Sequence, residues 1–69
     1  MKISARNMLP GVVRSVDPGA VNTEVTLEIA PGITVVSIIT KHAAERLGLR
    51  VGSKAYAVVK ASSVMMATD

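Results

Sequence analysis

The sequence predicts an all-β domain with one small inserted helix, organised as a five-stranded OB-type Greek-key barrel. Segments in which apolar and polar residues alternate have the period of two that is typical of β-strands. Pro and Gly turn signals separate these segments, and one short helical pattern lies between the third and the fourth. A chain of 69 residues has room for one small domain, so we expect residues 1–69 to form a single domain.

The first third of the chain predicts an extended arm and two strands. Residues 2–7 are expected to form the arm, and Pro10-Gly11 a break after it. Residues 11–16 predict the first strand, closed by a turn at Asp17-Pro18-Gly19. The second strand has the clearest pattern, because every other residue from 21 to 29 is apolar or Thr and the residues between them are polar. One face of this strand is therefore expected to be buried and the other to face water.

The third predicted strand, residues 33–40, carries large aliphatic side chains on both faces. Val35 and Ile39 lie on one face, and Val36 and Ile38 lie on the other. A small domain has only one core, so the second apolar face predicts an interface between subunits.

A short helix is expected to follow this strand. Thr40 is a suitable N-cap for a helix over residues 41–47, and Gly48 is placed for a left-handed C-cap. We expect Ala43, Ala44 and Leu47 on its inner side. Residues 54–60 and 62–68 then predict the last two strands, joined by a bend at residues 61–63.

The composition indicates a protein that associates with itself. Cys is absent, Tyr56 is the single aromatic residue, hydrophobic residues make up 49% and the mean hydropathy is +0.43. A domain this small and this apolar is expected to bury part of its surface against further copies. The polar segment after Lys2 is unlike a signal peptide, and no apolar run is long enough to cross a bilayer, so we expect a cytoplasmic protein.

The charged residues disfavour nucleic acid and catalysis. The net charge is +3 and the pI about 9.8, but the Lys and Arg residues are scattered, and one Tyr is a poor platform for stacking bases. His42 is the only histidine, which excludes a His/Cys metal cluster and leaves no nucleophile with a placed base. We therefore expect no enzyme activity, no directly coordinated metal and no organic cofactor.

Two segments at opposite ends of the sequence share a chemistry that offers only hydrogen-bond donors. Ser4-Ala5-Arg6-Asn7 and Lys60-Ala61-Ser62-Ser63 each contain one cation, small hydroxyl groups and an Ala that leaves its amide accessible. Together they would suit a tetrahedral oxyanion. The alternative is that Arg6 is a solvated charge and that Lys60 ends a strand and reaches water. Apolar neighbours surround Lys60, however, and a buried ammonium needs an anionic partner.

The ordered landmarks span residues 3–66. They are Ser4-Ala5-Arg6-Asn7 with Leu9 and Gly11, then Val36-Ser37-Ile38-Ile39-Thr40, then Leu47-Gly48-Leu49 with Gly52, and finally Ala57-Val58-Val59-Lys60-Ala61-Ser62-Ser63-Val64-Met65. This set resembles the molbindin (Mop) family of the broader TOBE group. The resemblance implies an OB-type fold and a protein that stores molybdate, or tungstate, as the bound oxyanion. It also implies a hexamer, a trimer of dimers, with strands exchanged between subunits.

The resemblance also implies a set of site residues. By matching motifs, the oxyanion ligands are expected to be Ser4, Ala5, Arg6, Thr40, Lys60, Ala61 and Ser62, with the two Ala residues contributing their amides. The arm and the Lys60 segment are expected from different subunits. Related sequences often have Ser where this chain has Ala43, which removes one hydroxyl. The alternatives are an OB-type module that binds nucleic acid or another protein, and an oligomer whose anion site is vestigial.

Overall fold

A computed structural model describes residues 1–69 as four strands and one short helix. The elements are β1 (Asn7–Pro18), β2 (Asn22–Ala30), β3 (Ile33–Thr40), α1 (Lys41–Leu47), β4 (Lys54–Val59) and a 3₁₀ turn at Ala61–Ser63. All strand pairs are antiparallel, in the order β3-β2-β1-β4. Three consecutive strands with a fourth returning beside the first form a Greek key. The predicted all-β class, its inserted helix and its Greek-key order are confirmed.

The sheet curls around a small aliphatic core. Val13, Val25 and Leu27 are buried, and they come from the two central strands. Ile39 of β3 and Ala57 of β4 pack against this same cluster although their strands are the opposite edges of the sheet. A flat sheet would hold these edges apart, so the strands must wrap toward each other, as in a barrel that is partly open.

The helix has the caps that the sequence predicts. The Ala43 N–H donates to Thr40 Oγ1 at 3.1 Å, and Gly48 is left-handed with φ 65°. Ala44 is buried, as expected for the inner side. Leu47 was expected there too, but it is 63% exposed. Its side chain lines the open groove between β3 and β4, and it is therefore largely open to water. At seven residues, this helix is too short to cross a membrane.

Strand β1 is longer than predicted at both ends. It begins at Asn7 and runs through Pro10 and Gly11, where the sequence suggested a break, and continues to Pro18, which is inside the predicted turn. Residues 7–12 pair with β4, whereas pairing with β2 begins at Val12. At Pro10 the strand therefore has a neighbour on one side only, and a residue without an N–H is tolerated there.

Close packing of β1 against β2 requires glycine at position 11. A Cβ on Gly11 would lie 2.4 Å from the Glu28 carbonyl oxygen and 2.9 Å from the Leu27 side chain. Just beyond, the register shifts between Val13 and Ser15, which marks a bulge at Arg14. Bulges bend a strand. The bulged Arg14 donates from Nη2 to Glu28 Oε1 at 2.9 Å, the one ion pair in the chain.

The fifth predicted strand, residues 62–68, is not a strand in the single chain. A 3₁₀ turn replaces its start, with the Ser63 N–H bonded to the Lys60 carbonyl at 2.9 Å, and no residue after the turn pairs with a strand. Met65 and Met66 are 91% and 89% exposed. The segment lacks a strand partner in its own chain, so a strand-like sequence alone does not make it a strand.

An apolar groove marks the place where a fifth strand would close the sheet. It has a volume of about 360 Å³, lies between the edges of β3 and β4, and 12 of its 13 lining residues are hydrophobic. Val25 and Leu27 contribute from the core, and Tyr56 and Val58 from β4. The other face of β3 is also open, because Val36 is 55% and Ile38 70% exposed. One chain thus leaves Val36 and Ile38 largely uncovered, whereas Val35 and Ile39 on the inner face of β3 are half-buried.

Candidate anion site

The pairing of β1 with β4 brings the two ends of the chain together. Asn7 is opposite Val59, so the arm before β1 and the turn after β4 leave the sheet side by side. An open cavity of about 480 Å³ lies between these two segments. Its lining residues are Ile3, Ser4, Ala5, Arg6, Lys60, Ala61 and Ser62. Six of the seven residues predicted for the site therefore lie around one cavity.

The cavity lining offers hydrogen-bond donors and no carboxylate. Arg6 contributes a guanidinium, Lys60 an ammonium, and Ser4 and Ser62 hydroxyl groups. Neither cation makes an ion pair or a side-chain hydrogen bond within the chain, since the only ion pair joins Arg14 and Glu28. Both positive charges are therefore free to act on a ligand.

Backbone amides in the same segments are also free. The N–H groups of Ala5, Ala61 and Ser62 have no hydrogen-bond partner within the chain. The next two amides, of Ser63 and Val64, are used to close the 3₁₀ turn. Free amides beside cations are typical of sites that bind small anions.

The single chain bears on two sequence-based interpretations of this region. Lys60 is exposed and not buried, because β4 ends at Val59 and the side chain leaves from the strand end. In one chain, the simpler interpretation of a Lys that reaches water thus accounts for its position. The arm and the Lys60 segment were expected from different subunits, but a single chain brings both to the cavity. The β1–β4 register, which the sequence pattern leaves undefined, is the reason.

Thr40 is the predicted site residue that does not line the cavity. It pairs with Asn22, near the end of β1 that is remote from Asn7. Its hydroxyl oxygen accepts the Ala43 N–H and caps the helix. The Thr40 O–H is still available as a donor, because accepting one hydrogen bond does not use it.

Ile3 is the lining residue that sequence reasoning missed. Residues 2–7 were expected to be a simple extended arm, in which alternate side chains face opposite sides. The backbone instead bends at Ser4 and at Arg6, which lets neighbouring residues of the arm line one cavity. The apolar character of position 3, directly before the polar segment, was the available signal.

Known proteins share the sequence pattern of this chain. The TOBE domain model matches residues 3–66 of the chain. The molybdenum transport protein ModE of Herbaspirillum seropedicae is 48% identical over 69 residues, and the chain spans 26% of that protein's length. A probable molybdenum-pterin-binding protein of Haemophilus influenzae is 45% identical over 69 residues, which cover the whole of both chains.

Solved structures share the fold. A molybdate-binding protein from Sporomusa ovata superposes with a TM-score of 0.91 at 32% identity, covering 99% of this chain and all of that one. The cytoplasmic molybdate-binding protein ModG, in a form with molybdate bound, gives a TM-score of 0.89 at 48% identity. The match covers 94% of this chain and 46% of ModG.

Proposed function

Because the chain belongs to the TOBE-domain family and is of the molbindin (Mop) type, we propose that it binds molybdate in the cavity between the arm and the Lys60 segment. The observation that carries this proposal is the convergence of Arg6 and Lys60 on one cavity that contains no carboxylate. Two cations balance the charge of a dianion, and the hydroxyl groups and free amides supply directional hydrogen bonds. Binding of this kind involves no covalent step, so we assign no enzyme activity.

The cavity lining favours the oxyanion over a pterin, although some relatives are named for molybdenum-pterin binding. A pterin ring needs acceptors as well as donors and a flat apolar or aromatic surface to stack on. The anion cavity has neither an aromatic residue nor a carboxylate, and the apolar groove provides almost no polar partner, with Ser37 its only residue that is not hydrophobic. We therefore propose molybdate itself, or tungstate, as the ligand, with no organic cofactor.

The ligand set combines residues of the cavity with one residue from elsewhere. We propose Ser4, Arg6, Lys60 and Ser62 with the amides of Ala5 and Ala61 from one chain, and Thr40 from another copy. A cavity of about 480 Å³ compares with about 30 Å³ for one water in the liquid, so a single small anion would leave it largely filled with water. A neighbouring subunit would close it, which is the support for a site at a subunit interface. Ala43 lacks the hydroxyl that relatives often have, so that contact is absent here.

We propose that the protein is an intracellular store for the oxyanion and that residues 1–69 form one binding domain. A site built from fixed donors releases its ligand by mass action, as a buffer requires. Sulfate is expected to bind weakly, because a rigid ring of donors spaced for a larger anion leaves some donors unpaired. Phosphate brings an O–H donor into a cavity that contains two cations and no carboxylate to accept it, and is disfavoured for that reason.

Calorimetric titration of the purified protein with molybdate, tungstate, sulfate and phosphate tests the function. We expect saturable binding of molybdate and tungstate, and no measurable heat with sulfate at the same concentrations. Absence of binding with both metal oxyanions would reject the proposal. Salt-sensitive binding of single-stranded nucleic acid would in that case favour the alternative OB-type module.

Assembly is proposed to proceed through the apolar groove. The edges of β3 and β4 are unpaired, and residues 64–69 are exposed in the chain. We propose that this segment of one copy lies in the groove of another as an added strand, within a hexamer built as a trimer of dimers. Pairing along two free edges would satisfy backbone groups that otherwise face water.

Removing residues 64–69 is expected to lower the solution mass to that of a smaller species, because the groove then loses its occupant. Analytical ultracentrifugation measures the mass, and the fluorescence of Tyr56, the only aromatic residue and one that lines the groove, reports whether the groove is filled. Removal of residues 68–69 alone is the matched control. An unchanged mass after the larger deletion would contradict this mode of assembly.

A further inference from the structure

The anion cavity has one large apolar side chain among its donors. Ile3 lines the cavity beside Ser4 and Arg6, and about half of its surface, 49%, is exposed. The other apolar lining residues are Ala5 and Ala61, whose side chains are single methyl groups. Ile3 is thus the only residue that can cover part of the cavity with a bulky surface that does not hydrogen-bond.

We propose that Ile3 is a specificity-determining residue, which displaces water from the bound anion and so favours large oxyanions over small ones. This inference rests on the proposed function. The two cations and the hydroxyl groups attract any small dianion, so charge alone does not separate molybdate from sulfate. A property of the cavity other than its charge must therefore contribute to the selectivity for molybdate over sulfate.

The physical basis is the cost of dehydration. Removing an ion from water costs more for a small ion than for a large one of equal charge, because the Born energy varies inversely with the radius. Where the donors of the cavity are open to water, water competes with them for the anion, and the cavity then distinguishes weakly between molybdate and sulfate. An apolar wall that excludes water makes every anion lose its hydration shell. The free-energy cost of this dehydration is larger for sulfate, because sulfate is smaller than molybdate.

The position of Ile3 fits this role. Ile3 directly precedes Ser4, and the bend of the backbone at Ser4 lets both neighbours line the cavity. An aliphatic side chain at this position adds no hydrogen-bond acceptor, which would repel the anion. It also adds no donor, which would bind sulfate as well as molybdate. Its β-branch also limits the side chain to few rotamers, so the wall is held in place at a low entropic cost.

The test compares Ile3→Asn with Ile3→Val and Ile3→Leu in the complete chain. Affinities for molybdate and tungstate are measured by calorimetry, and those for sulfate and phosphate by displacement of molybdate. For Ile3→Asn we expect molybdate and tungstate to bind about tenfold more weakly while sulfate is unchanged or improved, so the selectivity falls about tenfold. The Val and Leu variants retain the apolar wall and should keep the selectivity of the wild type.

A matched control separates a specificity role from a structural one. Val21 is an exposed β-branched residue, 72% exposed, in the connection between β1 and β2 and outside the cavity lining. Val21→Asn should leave the affinities for all four anions unchanged. The solution mass of each variant is measured in parallel, so that a change in assembly is recognised.

Two outcomes overturn the inference and leave the proposed function standing. One is unchanged selectivity in Ile3→Asn. The other is an equal loss of affinity for all four anions, which would mean that Ile3 only positions the arm. If the wild-type protein binds neither molybdate nor tungstate, the proposed function itself fails, and the inference fails with it.

Discussion

Lys60→Ala is expected to weaken molybdate binding by about 100-fold or more while the protein keeps its fold and its solution mass. The ammonium is one of two positive charges at the cavity, and a bound anion enclosed by a second subunit would make a buried, hydrogen-bonded pair with it. Truncating one partner of such a pair costs about 2–5 kcal/mol. Each 1.4 kcal/mol corresponds to roughly a factor of ten in affinity. Because Lys60 is exposed at the end of β4 and its side chain bonds to nothing within the chain, its loss should leave the unfolding free energy nearly unchanged.

Arg6→Ala should behave in the same way, and Arg6→Lys should recover only part of the affinity, since an ammonium keeps the charge but loses the planar fork of donors. Calorimetry measures all three variants. Lys54→Ala and Arg50→Ala remove one Lys and one Arg that do not line the cavity, and they serve as controls for the effect of net charge. If Lys60→Ala and Arg6→Ala bind molybdate as tightly as the wild type, the site is elsewhere.

Gly11→Ala is expected to produce a large loss of stability, about 3 kcal/mol, without touching the anion site. The new Cβ would lie 2.4 Å from the Glu28 carbonyl oxygen, and the clash is with backbone, so no change of rotamer relieves it. Overpacking typically costs about 1–3 kcal/mol. A domain of this size has a total stability of roughly 3–10 kcal/mol at 0.05–0.15 per residue, so such a loss is severe.

Chemical denaturation at a fixed protein concentration measures this effect, since assembly makes the midpoint depend on concentration. Gly32→Ala is the informative control, because Gly32 has φ +75° but nothing within 4 Å of the place that a methyl group would occupy. It should lose about 1–2 kcal/mol from backbone strain alone. Equal losses in the two variants would argue against a special contact between β1 and β2 at Gly11.

Local patterns in the sequence predicted the parts of the fold that depend on neighbouring residues. The alternation through β2 correctly placed Val25 and Leu27 in the core. The caps of the helix at Thr40 and Gly48 were also predicted, because capping depends on the conformation of one residue and its nearest amides. These features need no knowledge of which strand lies beside which.

Features that depend on distant pairing were harder to predict. The extension of β1 through Pro10 is permitted by the absence of a second neighbour at that point, and a period-two pattern does not show how many neighbours a strand has. The segment after Ser63 has a strand-like sequence but no partner in its own chain. A strand-like pattern does not show whether the segment has a partner strand to pair with.

The sequence identified most of the residues that meet at the candidate site, but not how they come together. Donor chemistry and family resemblance selected six residues that line one cavity, from Ser4 to Ser62. They gave no register between the two segments, so they did not predict that one chain brings both to the same cavity. Thr40 was expected in the same site, and its place at the far end of the sheet follows from the β2–β3 register.

The pairing of Asn7 with Val59 also has a kinetic consequence. These residues are separated by roughly fifty positions, so closing the loop between them is among the least favourable entropic steps of folding. The hairpins β1–β2 and β2–β3 connect near neighbours and can form early, whereas the cavity exists only after β4 has docked on β1. A partly folded chain would therefore have no site, and the oxyanion would bind and stabilise only those molecules that have completed this last step.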